Sequence, residues 1–443
     1  MKKIVWLAVI VLSGCGGGSE PQPTTAPVTL TPVSTPAPVI VTPAVTTPPP
    51  APCTLLKISG TYPSEYLGTF NIPSPTQKLD PSITRSVGFK DFYPRSDVRP
   101  ANCTDTEYSR LMYMATLDRL QALGVDRVWV YTYGPFVDLT ADKWVVDKNS
   151  LQIPESQLIW LMEEVKRRGI KLYLAWQYWF IDIKGNSLDI SESHMYNMSE
   201  EEYIRIVESW RTIVVDLAKL GEAHGLAGIA LDWNAFYVPA ISMYRETTVA
   251  KFSSIADDIR KNFSGKITYG QTAIAFYDKR LFSKIDELHV SLAPRISPEE
   301  NMNLSVDILR DKFLQEIQKA YYQIDENQQT NNSIPVIFEL AIQSRDKYFV
   351  DGWVEDSFCV NNCIQKTYKT DFSVQAMGVE AAFQAITLQK FFKTTSVNFH
   401  SSYWHTDAVV PSNVTPDQSD FPNLSQSIRG KPAEEIVRKW YQR

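Results

Sequence analysis

Two carboxylates each close an apolar run. Asp232 follows Gly228, Ile229, Ala230 and Leu231, and Glu339 follows Pro335, Val336, Ile337 and Phe338. A charge at the end of such a run is costly unless it is paired or used. Two carboxyl groups suit the hydrolysis of a glycosidic bond. One protonates the leaving oxygen, and the other attacks the anomeric carbon or activates water. A gap of ~5 Å between them favours retention and ~6.5–9.5 Å favours inversion, and the sequence leaves both open. The plainer reading of either group is an ion pair at the end of its strand, with Lys90 or Arg345 as the cation.

Aromatic and hydrogen-bonding residues recur where other apolar runs end. Tyr133, Trp176, Gln271, Tyr403 and Trp404 hold such positions, and Asn234 follows Asp232 by two. Flat apolar faces beside polar groups are what a sugar site needs. Core filling is the bland alternative for each aromatic taken alone. His289, inside another apolar run, fits either a hydrogen bond to a sugar hydroxyl or a purely structural role. Asp91, Glu287, Asp346, Asp351, Glu355 and Asp356 are spare carboxylates in loops or at strand ends. Glu200, Glu201 and Glu202 read as a solvated helix start, where the positive end of the helix dipole favours them.

The elements that must position these groups alternate from residue 83 onward. Strands are predicted over Ser86–Phe92, Arg127–Tyr133, Lys171–Trp176, Ala227–Asp232, Lys266–Thr272, Leu288–Leu292, Pro335–Leu340 and Ser396–Tyr403. Helical spacing fills Thr104–Leu123, Glu155–Arg168, Glu200–His224, Thr247–Asn262, Val306–Ile324, Val374–Phe392 and Pro432–Tyr441. Glycines at 124, 169 and 225 fit helix stops. Eight strands alternating with helices predict an α/β fold, a (β/α)8 TIM barrel. A doubly wound open sheet is the rival, but no glycine-rich phosphate loop follows an early strand. In such a barrel the chemistry sits at the C-terminal ends of the strands.

The N-terminus carries a different signal. Lys2 and Lys3 precede the apolar stretch from Ile4 to Leu12, which is too short to span a bilayer as a mature helix. It reads as the core of a signal peptide over 1–14. The following Leu12-Ser13-Gly14-Cys15 resembles the bacterial lipobox, which implies cleavage before Cys15 and lipidation of its thiol. Eleven of the 32 residues from 21 to 52 are proline, and most others are Thr, Val or Ala. Such a segment favours polyproline II over a core, so 15–52 is expected to be a disordered, lipid-anchored Pro/Thr-rich linker. At ~3.1 Å per residue it reaches up to ~100 Å. The catalytic-type domain is expected over 53–443.

Composition limits the partners. The net charge of −6, from 44 basic and 50 acidic residues, argues against nucleic acid. Cys53, Cys103, Cys359 and Cys363 make an even set in an exported domain, so disulfides are expected. Cys359 with Cys363 would staple one loop and Cys53 with Cys103 would pin the start of the domain, although three pairings are possible. None of the five histidines keeps zinc-finger spacing with these cysteines, so neither a metal nor a cofactor is expected.

Taken in order, these residues resemble clan A glycoside hydrolases, and more loosely the family 113 β-mannanases, over roughly residues 83–441. The anchors are Glu339, the run Ser402-Tyr403-Trp404, and the closing Ile428-Arg429-Gly430-Lys431-Pro432-Ala433. The resemblance implies that Glu339 is the nucleophile and that Trp404 lies beneath the sugar at the cleavage point. It departs at strand four, where the clan has Asn-Glu and this sequence has Asn234-Ala235. The acid/base glutamate is missing there. Asp232 shares a strand face with Asn234 and is the nearest carboxylate. Three readings stay open. Asp232 is the general acid; or it is itself the nucleophile, with Glu339 or another carboxylate as acid; or catalysis is lost and the domain only binds glycans. The expectation is a monomeric glycosidase acting on a polysaccharide or oligosaccharide, lipid-anchored in the bacterial cell envelope. A non-catalytic glycan-binding lipoprotein and a barrel that is only a spacer are the alternatives.

Overall fold

The computed structural model describes residues 52–55, 66, 78–89, 100–137, 154–181, 198–231, 243–270, 278–325, 334–352, 368–403 and 425–442. Of the side chains in those elements, 89, 132–137, 176–181, 206 and 400–403 lie outside that description. So do the expected signal peptide, Cys15, the linker, Cys359 and Cys363.

Eight parallel strands close on themselves in sequence order. They are β1 (Thr84–Phe89), β2 (Arg127–Val137), β3 (Lys171–Ile181), β4 (Gly228–Ala230), β5 (Lys266–Tyr269), β6 (Glu287–Leu292), β7 (Val336–Leu340) and β8 (Thr394–Tyr403). The helices are α1 (Asp105–Leu123), α2 (Glu155–Arg167), α3 (Glu200–His224), α4 (Arg245–Asn262), α5 (Lys279–Phe282), α6 (Pro298–Met302), α7 (Val306–Asp325), α8 (Tyr348–Asp351), α9 (Phe372–Leu388) and α10 (Pro432–Tyr441). The chain therefore forms the predicted (β/α)8 barrel.

Local chemistry sets the boundaries. At α1, Thr104 and Glu107 form a capping box, and Gly124 closes the helix at φ 87°. At α3, Ser199 caps the start and Gly225 stops the helix at φ 80°. The helix expected over Val374–Phe392 instead runs over α9 and stops four residues earlier. Gln389 ends it: its side-chain oxygen accepts from the backbone N–H of Phe391 and Phe392, at 2.8 and 2.9 Å. The short helices α5, α6 and α8 have too few residues to show a period in the sequence. The Cys53–Cys103 disulfide forms as expected and ties residue 53 to the turn before α1.

Strand alternation divides the core in two. Val128, Val130, Leu172, Leu174, Ile267, Val290, Phe338 and Val397 point outward into the large core shared with the helices. Trp129, Tyr131, Tyr173, Ala175, Ala230 and Ile337 form a separate cluster inside the barrel. Large and small residues face each other there: a Cβ added to Gly228 would lie 2.1 Å from the Tyr173 ring. Among the described residues this cluster fills the barrel interior.

Candidate active site

Glu339 is the fourth of the five residues of β7. Ile337, two residues before it, belongs to the cluster inside the barrel, so strand alternation turns Glu339 inward as well. Its side chain lies near the C-terminal end of the barrel and is 3% exposed. The sequence permits this because Val336, Phe338 and Leu340 take the outward positions. Register then sets its neighbours, with Ser291 of β6 beside it on one side and Asn398 of β8 on the other.

Three neutral donors meet the carboxylate. Tyr131 Oη donates to Oε1 at 3.2 Å and Asn398 Nδ2 donates to the same oxygen at 3.1 Å. Ser291 Oγ faces Oε2 at 3.4 Å. Beneath them, His289 Nδ1 lies 3.8 Å from Oε2. Neutral donors orient a carboxylate without cancelling its charge, which is what a nucleophile or a general base requires.

The structure brings Glu339 and His289 together, as two of the residues singled out from sequence. His289 pairs in register with Ile337, one inward layer below Glu339, and has no exposed surface. It stands under the carboxylate, with the Trp129 ring edge-on at 5.0 Å. Tyr133, Trp176 and Tyr403 lie in the C-terminal parts of β2, β3 and β8, and their side chains are outside the described residues. Asp232, Asn234, Gln271 and Trp404 lie outside them altogether. β4 ends at Ala230, two residues before Asp232.

Ser291 and Asn398 were not singled out from the sequence, and Tyr131 was read only as part of the aromatic end of strand two. Their signal was a polar or aromatic residue at an inward strand position, two residues from one already considered in the cases of Tyr131 and Ser291. The neighbouring charged candidates do other work. Arg345 donates to Gln343 Oε1 at 3.1 Å and to the carbonyls of Asp346 and Gly352, and it stacks over Tyr368 at 3.9 Å. It knits the loop that follows β7. Asp346 accepts from the backbone N–H of Lys369 at 2.6 Å in the same loop.

Glu287 is at the other end of the barrel. It opens β6, as Arg127 opens β2. Arg127 Nη2 donates to Glu287 Oε1 at 3.2 Å, and Nη1 lies 3.2 Å from Oε2. The guanidinium stacks over the Tyr173 ring at 4.1 Å. Burial pushes the Tyr173 phenol well above its ordinary range, and the Arg127 charge opposes that rise. A shallow concavity of about 390 Å³ also lies at this end, lined in part by Gly124, Asp126 and Tyr441. It holds no carboxylate pair, so the C-terminal end is the candidate site.

The closed eight-stranded parallel barrel is a fold that this chain shares with solved glycoside hydrolases. One solved structure similar to this chain is a β-1,4-mannanase of glycoside hydrolase family 113, at 14% identity and a TM-score of 0.50. The likeness covers 81% of this chain and 98% of that one. A family 113 β-mannanase from Alicyclobacillus acidocaldarius is similar at 14% identity and a TM-score of 0.49, covering 81% and 96% of the two chains. An exo-β-1,4-mannosidase from Opitutaceae bacterium strain TAV5 is similar at 14% identity and a TM-score of 0.46, covering 82% and 62%. At these identities the likeness is one of fold. No family model matches the chain, and no curated protein matches it.

Proposed function

We propose that this chain is a glycoside hydrolase that cleaves O-glycosidic bonds of a polysaccharide or oligosaccharide. Glu339 acts as nucleophile and Asp232 as general acid. The observation that carries this reading is the buried Glu339 carboxylate at the C-terminal end of β7, oriented by Tyr131 and Asn398. A carboxylate enclosed among neutral donors is held for use on a bond rather than for solubility. Asn234, Trp404, Tyr403, Trp176, Tyr133 and Gln271 then serve as the sugar-binding set. β-1,4-linked mannans are the first substrates to try, from the name of the similar family 113 structure.

The test is product release from a polysaccharide panel by the chain and by Glu339→Gln. Turnover on at least one glycan should fall by about 10³-fold or more in the variant. Equal turnover in the two proteins would remove Glu339 from the chemistry. Ala235, where the clan has its acid/base glutamate, favours a second reading as a glycan-binding domain without catalysis. Retention of a glycan by the chain with no product from any substrate would select it. Export and lipid anchoring through Cys15 belong to the same proposal, with 15–52 as the tether. Fatty-acid labelling that persists in Cys15→Ala would refute the anchor.

A further inference from the structure

We propose that Ser86 and Asn398 are positioning residues: through one fixed amide they aim two hydrogen-bond donors at a single oxygen of Glu339 and hold that group as an oriented carboxylate. The use made of that carboxylate rests on the hydrolase reading above; the positioning itself does not. The residues come from β1, β8 and β7, and only barrel closure brings them together, since Ser86 and Asn398 are 312 positions apart.

The direction of each bond follows from the one before it. Ser86 Oγ donates to Asn398 Oδ1 at 3.0 Å. A primary amide has one acceptor end and one donor end, and the surrounding network decides which way it points. With Oδ1 turned to Ser86, Nδ2 faces the other way. Its two hydrogens reach Tyr131 Oη at 3.2 Å and Glu339 Oε1 at 3.1 Å. A phenol carries a single hydrogen. Tyr131 Oη accepts from Asn398, so its own hydrogen goes to Glu339 Oε1, at 3.2 Å. One serine hydroxyl therefore sets both donors. A reversed amide would press Oδ1 against Glu339 Oε1, two acceptors in a buried site, at a high cost. Ser86 and Asn398 have no exposed surface, so bulk water does not replace a lost hydroxyl.

The described groups facing Glu339 are Tyr131 from β2, His289 and Ser291 from β6, and Asn398 from β8. The readout is the difference between each variant and the parent chain. The experiment is a pH titration by carbon-13 NMR of the chain labelled at glutamate Cδ, with the Glu339 signal assigned by its loss in Glu339→Gln. In Ser86→Ala the Glu339 midpoint should move up by about one pH unit, because the donors lose their fixed direction. In Asn398→Asp it should move further, since two buried carboxyl groups then share a proton. Ser86→Thr keeps the hydroxyl and should return the parent midpoint. Midpoints within about 0.3 unit of the parent in both Ser86→Ala and Asn398→Asp would overturn the proposal. So would a Ser86→Thr midpoint displaced as far as that of Ser86→Ala, since packing alone would then explain it. Melting temperatures check that each variant folds, and the near-isosteric Asn398→Asp decides the matter if Ser86→Ala does not fold. On any glycan the parent turns over, Ser86→Ala should lower kcat about tenfold with KM within about twofold. If the parent turns over none and the midpoints still shift, the positioning stands and the hydrolase reading falls. If turnover is present and the midpoints do not move, the reverse holds.

Discussion

Glu287 and Glu339 are both buried and sit at opposite ends of one barrel, so the same substitution should do opposite things at the two sites. Glu287→Gln leaves the Arg127 guanidinium enclosed without its counter-charge. The side chains of that pair are 4% and 6% exposed, so both charges are out of water. Breaking a buried pair by removing one partner costs about 3–5 kcal/mol. Stacking of the guanidinium over Tyr173 survives and retains about 1 kcal/mol, which leaves an expected loss of about 2–4 kcal/mol. Only one of the two Arg127–Glu287 contacts is a well-formed hydrogen bond, from Nη2 to Oε1. Arg127 Nε and Nη1 make no hydrogen bond among the described residues. The pair is thus poorly compensated for its desolvation. The double variant Arg127→Met with Glu287→Leu should recover to within about 1 kcal/mol of the parent or exceed it. Urea denaturation of the four proteins reads these numbers as midpoint and slope. Turnover per folded molecule should stay within about twofold in all of them, because the strand C-terminal ends are untouched. Glu339→Gln should behave in reverse. Its amide oxygen can still accept from Tyr131 and Asn398, so stability should change by no more than about 1 kcal/mol while turnover is lost. A Glu287→Gln protein within about 1 kcal/mol of the parent would show that the lower pair is solvated. A folded Glu287→Gln protein without turnover would show that the chemistry has been placed at the wrong end.

Two further substitution series test other parts of the molecule. Gly228→Ala places a methyl 2.1 Å from the Tyr173 ring, which is itself held by Trp129 and Arg127, so a loss of about 2–3 kcal/mol is expected on denaturation. A loss below about 0.5 kcal/mol would mean that the interior yields there more readily than its packing implies. Stability should also fall at low pH. The Arg167 hydrogen bonds, followed by the one from Arg168, hold Glu164 at about 2, below its ordinary value of 4.5. Hydrogen bonds from Arg280, then Arg245, hold Asp278 well below the carboxylate range. A depressed value stabilises the fold above the ordinary value and loses that contribution as pH falls through the folded one. The loss from Glu164 therefore belongs between pH 4.5 and about 2. Glu164→Gln and Asp278→Asn should flatten the melting temperature against pH in that acidic range, and an unchanged slope would refute the assignment.

Much of the scaffold could be read from the chain because its punctuation is local. The helix expected over Glu200–His224 forms over those same residues, since Ser199 and Gly225 mark its ends by chemistry that needs no tertiary context. β4 was expected over Ala227–Asp232; among the described residues it runs over Gly228–Ala230, and Asp232 lies outside them. Hydrophobic run length reports burial rather than ladder pairing, and the two part where a strand meets the rim. The site was half legible. Glu339 stood out because a charge after four apolar residues is conspicuous in one dimension. Asn398 and Tyr131 did not, because their relevance to Glu339 exists only in the closed barrel. Tyr131 and Glu339 are 208 positions apart, and no local pattern announces the contact.

The interior between the two ends explains why both charge sites can exist in one small volume. Trp129 lies 4.9 Å from the Tyr173 ring, stacks on Tyr131 at 6.4 Å, and meets His289 edge-on at 5.0 Å. These rings come mainly from β2 and β3 and fill the space that Gly228 and Ala230 leave on β4. The aromatic layer of Trp129, Tyr131 and Tyr173 lies between the Arg127–Glu287 pair and the Glu339 carboxylate. In a medium of low polarisability, a charge is stabilised chiefly by the donors that touch it. The Arg127 cation therefore answers to Glu287 and the Tyr173 face, and the Glu339 anion answers to Tyr131, Asn398 and Ser291. With no shared hydrogen-bond partner among the contacts described above, changes at the two ends should add, whereas changes at Ser86, Asn398 and Tyr131 should not, because each depends on the hydrogen the others have already directed. The barrel thus keeps its stability and its candidate chemistry in separate layers of the same interior, and β2 contributes to both through alternate residues: Arg127 below, Trp129 between and Tyr131 above.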